Sequence, residues 1–155
     1  MLNKKIIAFA IAAMLMLLPV VSMASVENLP VDYEGSVNYL IDIRNPESII
    51  SSTTNKTCVI SAISLPGTTV TLYALNSETN TYDKMYSDGK ALEATVGASG
   101  LYAQNIELKA GLNNILVVAS ANGETIETVK LEITLLKSSV SENVKSLWQS
   151  LLSYW

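Results

Sequence analysis

The stretch from residue 100 to residue 122, GLYAQNIELKAGLNNILVVASAN, constrains the fold more than any other part of the chain. Its first half carries apolar residues at even spacing, which predicts an extended strand with one buried face. Gly111 then breaks the pattern with a residue that tolerates a positive φ, so the stretch reads as two strands joined by a tight turn. Residues 115–119 are apolar without interruption, which is typical of a central strand covered on both sides. Asn122 and Gly123 form the strongest short hairpin signal.

Alternation of apolar and polar residues recurs along the chain, in segments separated by residues that favour turns. A Pro-Gly pair at residues 66 and 67 predicts a type II turn, and Asn45–Pro46 ends the alternation that begins at Val37. The apolar pair at residues 49–50 marks a place where the chain could switch from one sheet to another. Short strands are predicted over residues 37–44, 56–63, 69–75, 81–86, 92–96, 101–108, 115–121 and 129–135. About seven or eight short strands with no helical period between them predict an all-β antiparallel sandwich or barrel.

The first 24 residues have the three parts of a secretory signal peptide. Lys4 and Lys5 form a positive start, residues 6–18 are apolar, and residues 22–24 supply small residues before a cut. An uncleaved membrane anchor is the alternative, but the apolar run is shorter than the roughly 20 residues that span a bilayer. The pattern predicts a secreted chain that begins at Ser25 and is extracellular or associated with the cell wall.

The acidic balance of the chain excludes several classes of partner. The net charge is −4, and removal of Lys4 and Lys5 with the leader takes it to −6, because every acidic residue follows the leader. A protein that binds nucleic acid needs Lys and Arg to neutralise phosphates, and anionic lipid makes the same demand. We therefore expect no nucleic-acid partner, and no membrane partner once the leader is removed.

No residue pattern predicts an enzyme, a cofactor or a metal site. The chain has no histidine, which removes Ser-His-Asp and Cys-His catalysis and histidine-based zinc sites. Asp83, Asp88 and Glu93 are close enough in sequence to consider as a carboxylate pair, but they fall in a polar region where charges are normally solvated. Glu78, Asp83 and Asp88 offer oxygen ligands for calcium without the spacing of a calcium loop. Cys58 is expected to be a small buried hydrophobe, with a reactive thiol or an intermolecular disulfide as the alternative.

Residues 138–155 differ from the rest of the chain because their apolar residues follow helical spacing. Ser139 and Glu142 form a capping-box signature, so we predict an amphipathic helix. Three roles remain open for its apolar stripe. It docks on its own domain, it binds another protein or a second copy, or it lies in a membrane interface, although its charges supply no electrostatic attraction to lipid. The side chains best suited to a protein partner are Trp148, Leu151, Leu152 and Trp155.

Three motifs resemble those of bacterial Ig-like domains. They are SLPGTTVTL at residues 64–72, SGLY at residues 99–102 and LKAGLNNI at residues 108–115. In the last motif the glycine makes the turn and an asparagine side chain can hydrogen-bond the backbone of the loop. The region 57–135 is therefore similar to an Ig-like β-sandwich of the kind appended to secreted glycoside hydrolases, cell-wall proteins and adhesins. The C-terminal helix is not part of that family.

Together with the strand pattern, the resemblance implies an Ig-like antiparallel sandwich over residues 37–137. The polar composition of residues 25–36 predicts an irregular lead-in before it. Domains of this family mostly act as spacers, adhesion modules or stabilising accessories, so it also implies a secreted, non-enzymatic module that works by protein–protein contact. The alternative is a carbohydrate-binding or cell-wall accessory module. Its rings would be Tyr73, Tyr82 and Tyr86, which could stack on sugars or simply pack across strands on the outside of a sheet.

Overall fold

The computed structural model describes residues 26–137, 147 and 149–153. The chain is all-β, with several sheets and one short helix at its C-terminal end, where residues 147 and 149–152 are helical. The strands in the described residues are β1 (Asn28–Pro30), β2 (Ile41–Asn45), β3 (Ile50–Thr53), β4 (Thr57–Ser64), β5 (Thr69–Asn76), β6 (Thr81–Lys84), β7 (Tyr86–Ser87), β8 (Lys90–Ala91), β9 (Glu93–Thr95), β10 (Leu101–Glu107), β11 (Gly111–Ala121) and β12 (Thr125–Leu135).

The larger sheet is built around β11. Its order is β1-β6-β5-β11-β12-β3, and β9 also pairs with β5. The strands β11 and β12 form a long antiparallel hairpin. Its turn has φ values of 54° at Asn122 and 73° at Gly123, and two successive positive values are what a type I′ turn requires. The predicted hairpin is therefore confirmed.

The smaller sheet has β4 at its centre, with β10 and β2 antiparallel on either side. Its inward side chains, such as Ile60 and Tyr102, share one buried cluster with Val70, Val117 and Leu131 of the larger sheet. Two sheets that enclose a common core in this way are consistent with a β-sandwich, the predicted fold class. The predicted change of sheet after β2 is confirmed, because β3 lies parallel to β12 in the larger sheet.

Both faces of β11 are buried, as predicted. Val117 belongs to the core between the sheets, whereas its neighbours Leu116 and Val118 point to the opposite face and form a second buried cluster. Leu29 of β1 and Tyr82 of β6 complete that cluster. The alternation of a strand sends successive side chains to opposite faces, so an uninterrupted apolar run needs a cover on each side.

The N-terminal segment supplies the second cover, which corrects the predicted lead-in. Residues 25–36 were expected to be irregular, but Asn28–Pro30 forms β1 antiparallel to β6. β6 therefore has a neighbour on each side and is one strand inside the sheet. A three-residue edge strand that ends in proline has too little alternation to be recognised in sequence.

The turn at residues 108–111 carries the chain from one sheet to the other. β10 pairs with β4 whereas β11 pairs with β5 and β12, so the two strands predicted on either side of this turn belong to different sheets. Gly111 has a φ of 89°, as the turn needs. Asn113 holds the corner. Its Oδ1 accepts the N–H of Lys109 at 2.8 Å, and its Nδ2 donates to the carbonyl oxygens of Lys109, Gly111 and Ile133 at 2.8, 3.0 and 3.1 Å.

The start of β2 differs from the prediction. Alternation predicts a strand from residue 37, but β2 begins at Ile41. Leu40 is buried and Tyr39 is 64% exposed, which is the reverse of the predicted alternation. The reason lies in a side chain, because the carboxylate of Glu127 accepts the N–H groups of Leu40 and Ile41. These two hydrogen bonds to Glu127 fix the path of the backbone at residues 40–41.

Candidate functional site

The three tyrosines predicted to face a glycan do not form an exposed surface. Tyr73 and Tyr82 are 3% and 5% exposed and pack with Leu29 on the outer face of the larger sheet. Tyr73 does point away from the core between the sheets, as predicted, but the N-terminal segment covers it. Stacking on a sugar requires an open ring face. Only Tyr86, which is 51% exposed, retains one.

Two of the three tyrosine hydroxyls instead anchor the N-terminal segment. The hydroxyl of Tyr73 donates to the carbonyl oxygen of Val26 at 2.9 Å, and that of Tyr86 donates to Glu27 Oε2 at 2.7 Å. Burial raises the pKa of Tyr73 to about 12 and also raises the pKa of Tyr82. The hydrogen bond between Tyr86 and Glu27 raises the pKa of the phenol and lowers that of the carboxyl, because it stabilises the neutral phenol beside the carboxylate.

A buried lysine joins this network to β9. The side chain of Lys84 is 4% exposed, and its Nζ lies 3.5 Å from Glu27 Oε1 and 3.9 Å from Glu93 Oε2. Glu93 also accepts a hydrogen bond from the hydroxyl of Thr71 at 3.4 Å. A buried ammonium group is tolerated when carboxylates face it. Glu93, one of the acids considered for chemistry, is thus part of a structural ion pair.

The other acidic candidates occupy separate positions. Asp83 accepts hydrogen bonds from Asn76 Nδ2 and Thr81 Oγ1, both at 2.8 Å, and these bonds lower its pKa. Asp88 is exposed in the turn between β7 and β8. In the part of the chain that the structure describes, no three His, Cys, Asp or Glu side chains come together in a group that could hold a metal ion.

Cys58 is half-buried and packs against the core between the sheets. Burial raises the pKa of its thiol. Because the thiolate is the reactive form, this shift disfavours nucleophilic chemistry at Cys58.

The described leucines of the C-terminal helix are exposed. Leu147, Leu151 and Leu152 are 62%, 59% and 70% exposed. The helix satisfies polar groups internally, since the hydroxyl of Ser150 donates to the carbonyl oxygen of Leu147 at 2.8 Å. Trp148 and Trp155, which were predicted to act with Leu151 and Leu152, lie outside the described residues, as do the predicted leader and the Ser139–Glu142 capping box.

A second exposed apolar surface was missed by the sequence reasoning. On the outer face of the smaller sheet, Val59, Ile63 and Leu101 are 42%, 45% and 67% exposed, and Ile63 is directly opposite Leu101 in the register. The sequence does indicate this surface, because β4 carries apolar residues on both of its faces. In β11 the same pattern marks a strand with two covers, and sequence does not distinguish a covered face from an open one.

The chain matches no protein-family model, and no curated protein is similar to it in sequence. Within the described residues, none of the helical structure is long and apolar enough to cross a membrane.

Proposed function

We propose that the protein is a secreted, non-enzymatic Ig-like module that acts by protein–protein contact at or outside the cell surface. The observation that carries this proposal is the exposure of Leu151 and Leu152 on the C-terminal helix, at 59% and 70%. A leucine that leaves water contributes about 1.5–3 kcal/mol, so covering this stripe by a partner is favourable.

The spacing of the helix supports a groove-binding mode. Trp148, Leu151, Leu152 and Trp155 stand at positions i, i+3, i+4 and i+7, which is the pattern of anchors on a helix that lies in a groove of another protein. Tryptophan is also among the residues that most often dominate the binding energy of protein interfaces. The Ig-like part of the proposal is supported by the two-sheet core and by the Asn113 corner in the LKAGLNNI motif. Secretion is supported by the leader pattern.

Sedimentation equilibrium of residues 25–155 tests the proposal in its self-association form. The double variant Leu151→Ser, Leu152→Ser is compared with the wild type and with Gln149→Ala, a polar exposed residue of the same helix. We expect the wild type to associate, the double variant to be monomeric, and the stability of the monomer to change by less than about 0.5 kcal/mol in both variants. If the double variant loses more than about 2 kcal/mol of stability while the mass stays that of a monomer, the leucines belong to the domain's own core and the proposal is wrong.

Carbohydrate binding remains a second candidate on narrower ground. Tyr86 is exposed beside a cleft that Asp88 and Asn105 also line, which places one ring next to polar side chains. An oligosaccharide that binds the wild type and not Tyr86→Ala would support this candidate. Retained binding in the variant would exclude Tyr86 as the contact.

A further inference from the structure

The strands that have a partner on one side only differ in how well they resist further pairing. Among the described strands of the two sheets that enclose the core, these are β1, β3, β9, β2 and β10. β9 has only three residues. β1 has three residues and ends in Pro30, β3 has four, and β2 has a register shift between Ile43 and Asn45. Short length, proline and bulges are the devices that protect a sheet edge. β10 has none of them, since its seven residues pair with β4 in unbroken register.

The hydrogen-bond pattern shows which backbone groups of β10 face outward. The bonds from Ser64 N–H to the Gly100 carbonyl and from Leu108 N–H to the Lys56 carbonyl join even-numbered residues of the two strands. In an antiparallel ladder the hydrogen-bonded pairs alternate, so the even residues of β10 bond to β4 and the odd residues face away. Ala103 is exposed, and its N–H and carbonyl groups have no partner among the described residues.

Local contacts agree with this assignment. The N–H of Leu101 reaches Ser99 Oγ at 3.4 Å, and the carbonyl oxygen of Asn105 accepts Gln104 Nε2 at 3.1 Å. Both are odd-numbered groups, and both are satisfied by side chains one or two residues away in sequence. The N–H groups of Ala103, Asn105 and Glu107 remain as a row of donors along the edge, two residues apart.

A cleft of about 460 Å³ runs beside this row. It is lined by residues 105–107 of β10, by Thr57 of β4, by residues 85–88 and by Leu92. Added strands place alternate side chains on the core side of a sheet. Such a side chain would enter this cleft and meet a mixed lining, in which Met85 and Tyr86 are apolar or aromatic and Thr57 and Asp88 are polar. Leu92 and Ile106 also line it, but they are only 5% and 2% exposed.

We infer that the outer edge of β10 docks an extended peptide segment of a partner protein, which adds to the smaller sheet as a fourth strand. The partner segment alternates apolar residues, one of which fills the cleft, with polar residues. A basic residue suits the flank beside Asp88, which lines the cleft, whereas Glu107 lines it too but already pairs with Lys56 Nζ at 3.4 Å. A second copy of β10 fits less well, since its inward residues Tyr102 and Ile106 are already buried in their own core and would leave the cleft empty. The inference does not depend on the C-terminal helix.

Backbone amide exchange measured by NMR on residues 25–155 tests the inference. The probe is the acetylated and amidated peptide Lys-Val-Thr-Val-Lys-Val-Thr-Lys at roughly millimolar concentration. In the presence of the peptide, we expect hydrogen exchange at the amides of Ala103, Asn105 and Glu107 to slow by about tenfold or more, because these amides gain strand partners. The amides of Tyr102 and Gln104, already bonded to β4, should change little. The same peptide with N-methylated alternate residues is the control and should have no effect.

Two variants sharpen the test. Ala103→Pro removes an outward donor without removing a bond to β4, since proline is tolerated on that side of an edge strand. It should weaken peptide binding about tenfold or more while the melting temperature stays near that of the wild type. Asp88→Asn keeps a residue suited to the positive φ of the turn and removes the charge, so it should weaken binding of the basic peptide and reduce its dependence on salt.

Four results would overturn the inference. Exchange at Ala103 and Asn105 that is unchanged by the peptide excludes strand addition. Protection of these amides in the peptide-free chain that rises with protein concentration assigns the edge to a second copy, and protection independent of concentration means that the chain covers the edge itself. Cellohexaose that perturbs Tyr86 when the peptide does not would assign the cleft to carbohydrate. The wild-type exchange pattern decides the case even if Ala103→Pro fails to fold.

Discussion

The carboxylate of Glu127 accepts the backbone N–H of Leu40 at 2.5 Å, although the two residues are 87 positions apart in sequence. The same oxygen accepts the N–H of Ile41 at 3.1 Å, and Glu127 is only 7% exposed. Beside it, the N–H of Ser36 donates to the carbonyl oxygen of Ile126 at 2.7 Å. Glu127 therefore fastens the segment that enters the smaller sheet to the first residues of β12 in the larger sheet.

Glu127→Ala should destabilise the fold by about 2–4 kcal/mol, because two buried N–H groups lose their acceptor and each such loss costs about 1–3 kcal/mol. Glu127→Gln keeps one acceptor oxygen without the charge, so its loss should be smaller. Urea unfolding measures both. Glu132→Ala, at an exposed position of the same strand, is the control and should stay within about 0.5 kcal/mol of the wild type. Equal effects of Glu127→Ala and Glu132→Ala would show that the carboxylate does not hold the segment.

A substitution at Gly35 tests the same junction, because it adds an atom to a close contact, whereas Glu127→Ala removes a hydrogen-bond acceptor. A Cβ at Gly35 would lie 2.5 Å from the carbonyl oxygen of Ile126 and 2.6 Å from the Cα of Glu127, and both are backbone atoms of β12. Gly35→Ala should therefore cost about 1–3 kcal/mol as the segment is pushed off the strand. Gly97→Ala is the matched control, since a Cβ there meets nothing within 4 Å. A thermal melt in which both variants match the wild type would contradict the close approach.

The elements that sequence predicted correctly are those in which one local rule decides the structure. The β11–β12 turn needs positive φ at Asn122 and Gly123, and the pair of residue types fits no other short connection as well. The turn at residues 65–68 has its hydrogen bond from Thr68 to Leu65 and a φ of 85° at Gly67. In both cases the residues that determine the geometry are adjacent in the chain.

The errors arise where distant residues decide the outcome. Tyr39 alternates correctly with its neighbours in sequence, but the chain at Leu40 is held by Glu127 from the other end of the domain. Tyr73 faces outward as its position in β5 requires, yet β1 covers it. β1 has only three residues, too few for a strand to be recognised in the sequence. The candidate surfaces depend on the same kind of information. The unpaired edge of β10 follows from the order of the strands in the sheet. The alternation of apolar and polar residues along the sequence does not specify that order.

Asn113 gives a prediction for the turn between β10 and β11. Its side chain makes four backbone hydrogen bonds, one of them to Ile133 on β12, and it is 9% exposed. Asn113→Ala should cost about 2–4 kcal/mol, because several buried backbone groups lose partners together. The side chain of Asn114, the next residue, makes no such bonds, so Asn114→Ala should lower the free energy of unfolding far less. Guanidinium unfolding of the two variants provides the measurement, and similar midpoints would mean that Gly111 alone holds the corner.

Alkaline pH should destabilise the protein through Tyr73. Its pKa is raised from the ordinary value of 10 to about 12, mainly by burial, so the folded state keeps the phenol proton over a range where the unfolded chain releases it. The stabilisation is fully present below the unfolded pKa of about 10 and is lost as the pH rises towards 12. The two-unit difference corresponds to about 3 kcal/mol. Tyr73→Phe lacks this titration.

At about pH 8 the Tyr73→Phe variant should be less stable than the wild type by about 1 kcal/mol, because it loses the hydrogen bond to Val26. Its stability should then fall less steeply between about pH 10 and pH 12, so the two curves converge or cross. Tyr82 and Tyr102 also have raised pKa values from burial, and they contribute equally to both proteins, so the difference between the curves isolates Tyr73. Urea unfolding at a series of pH values makes the comparison. Parallel curves would show that the Tyr73 phenol is not shielded and that the N-terminal segment does not stay on it in solution.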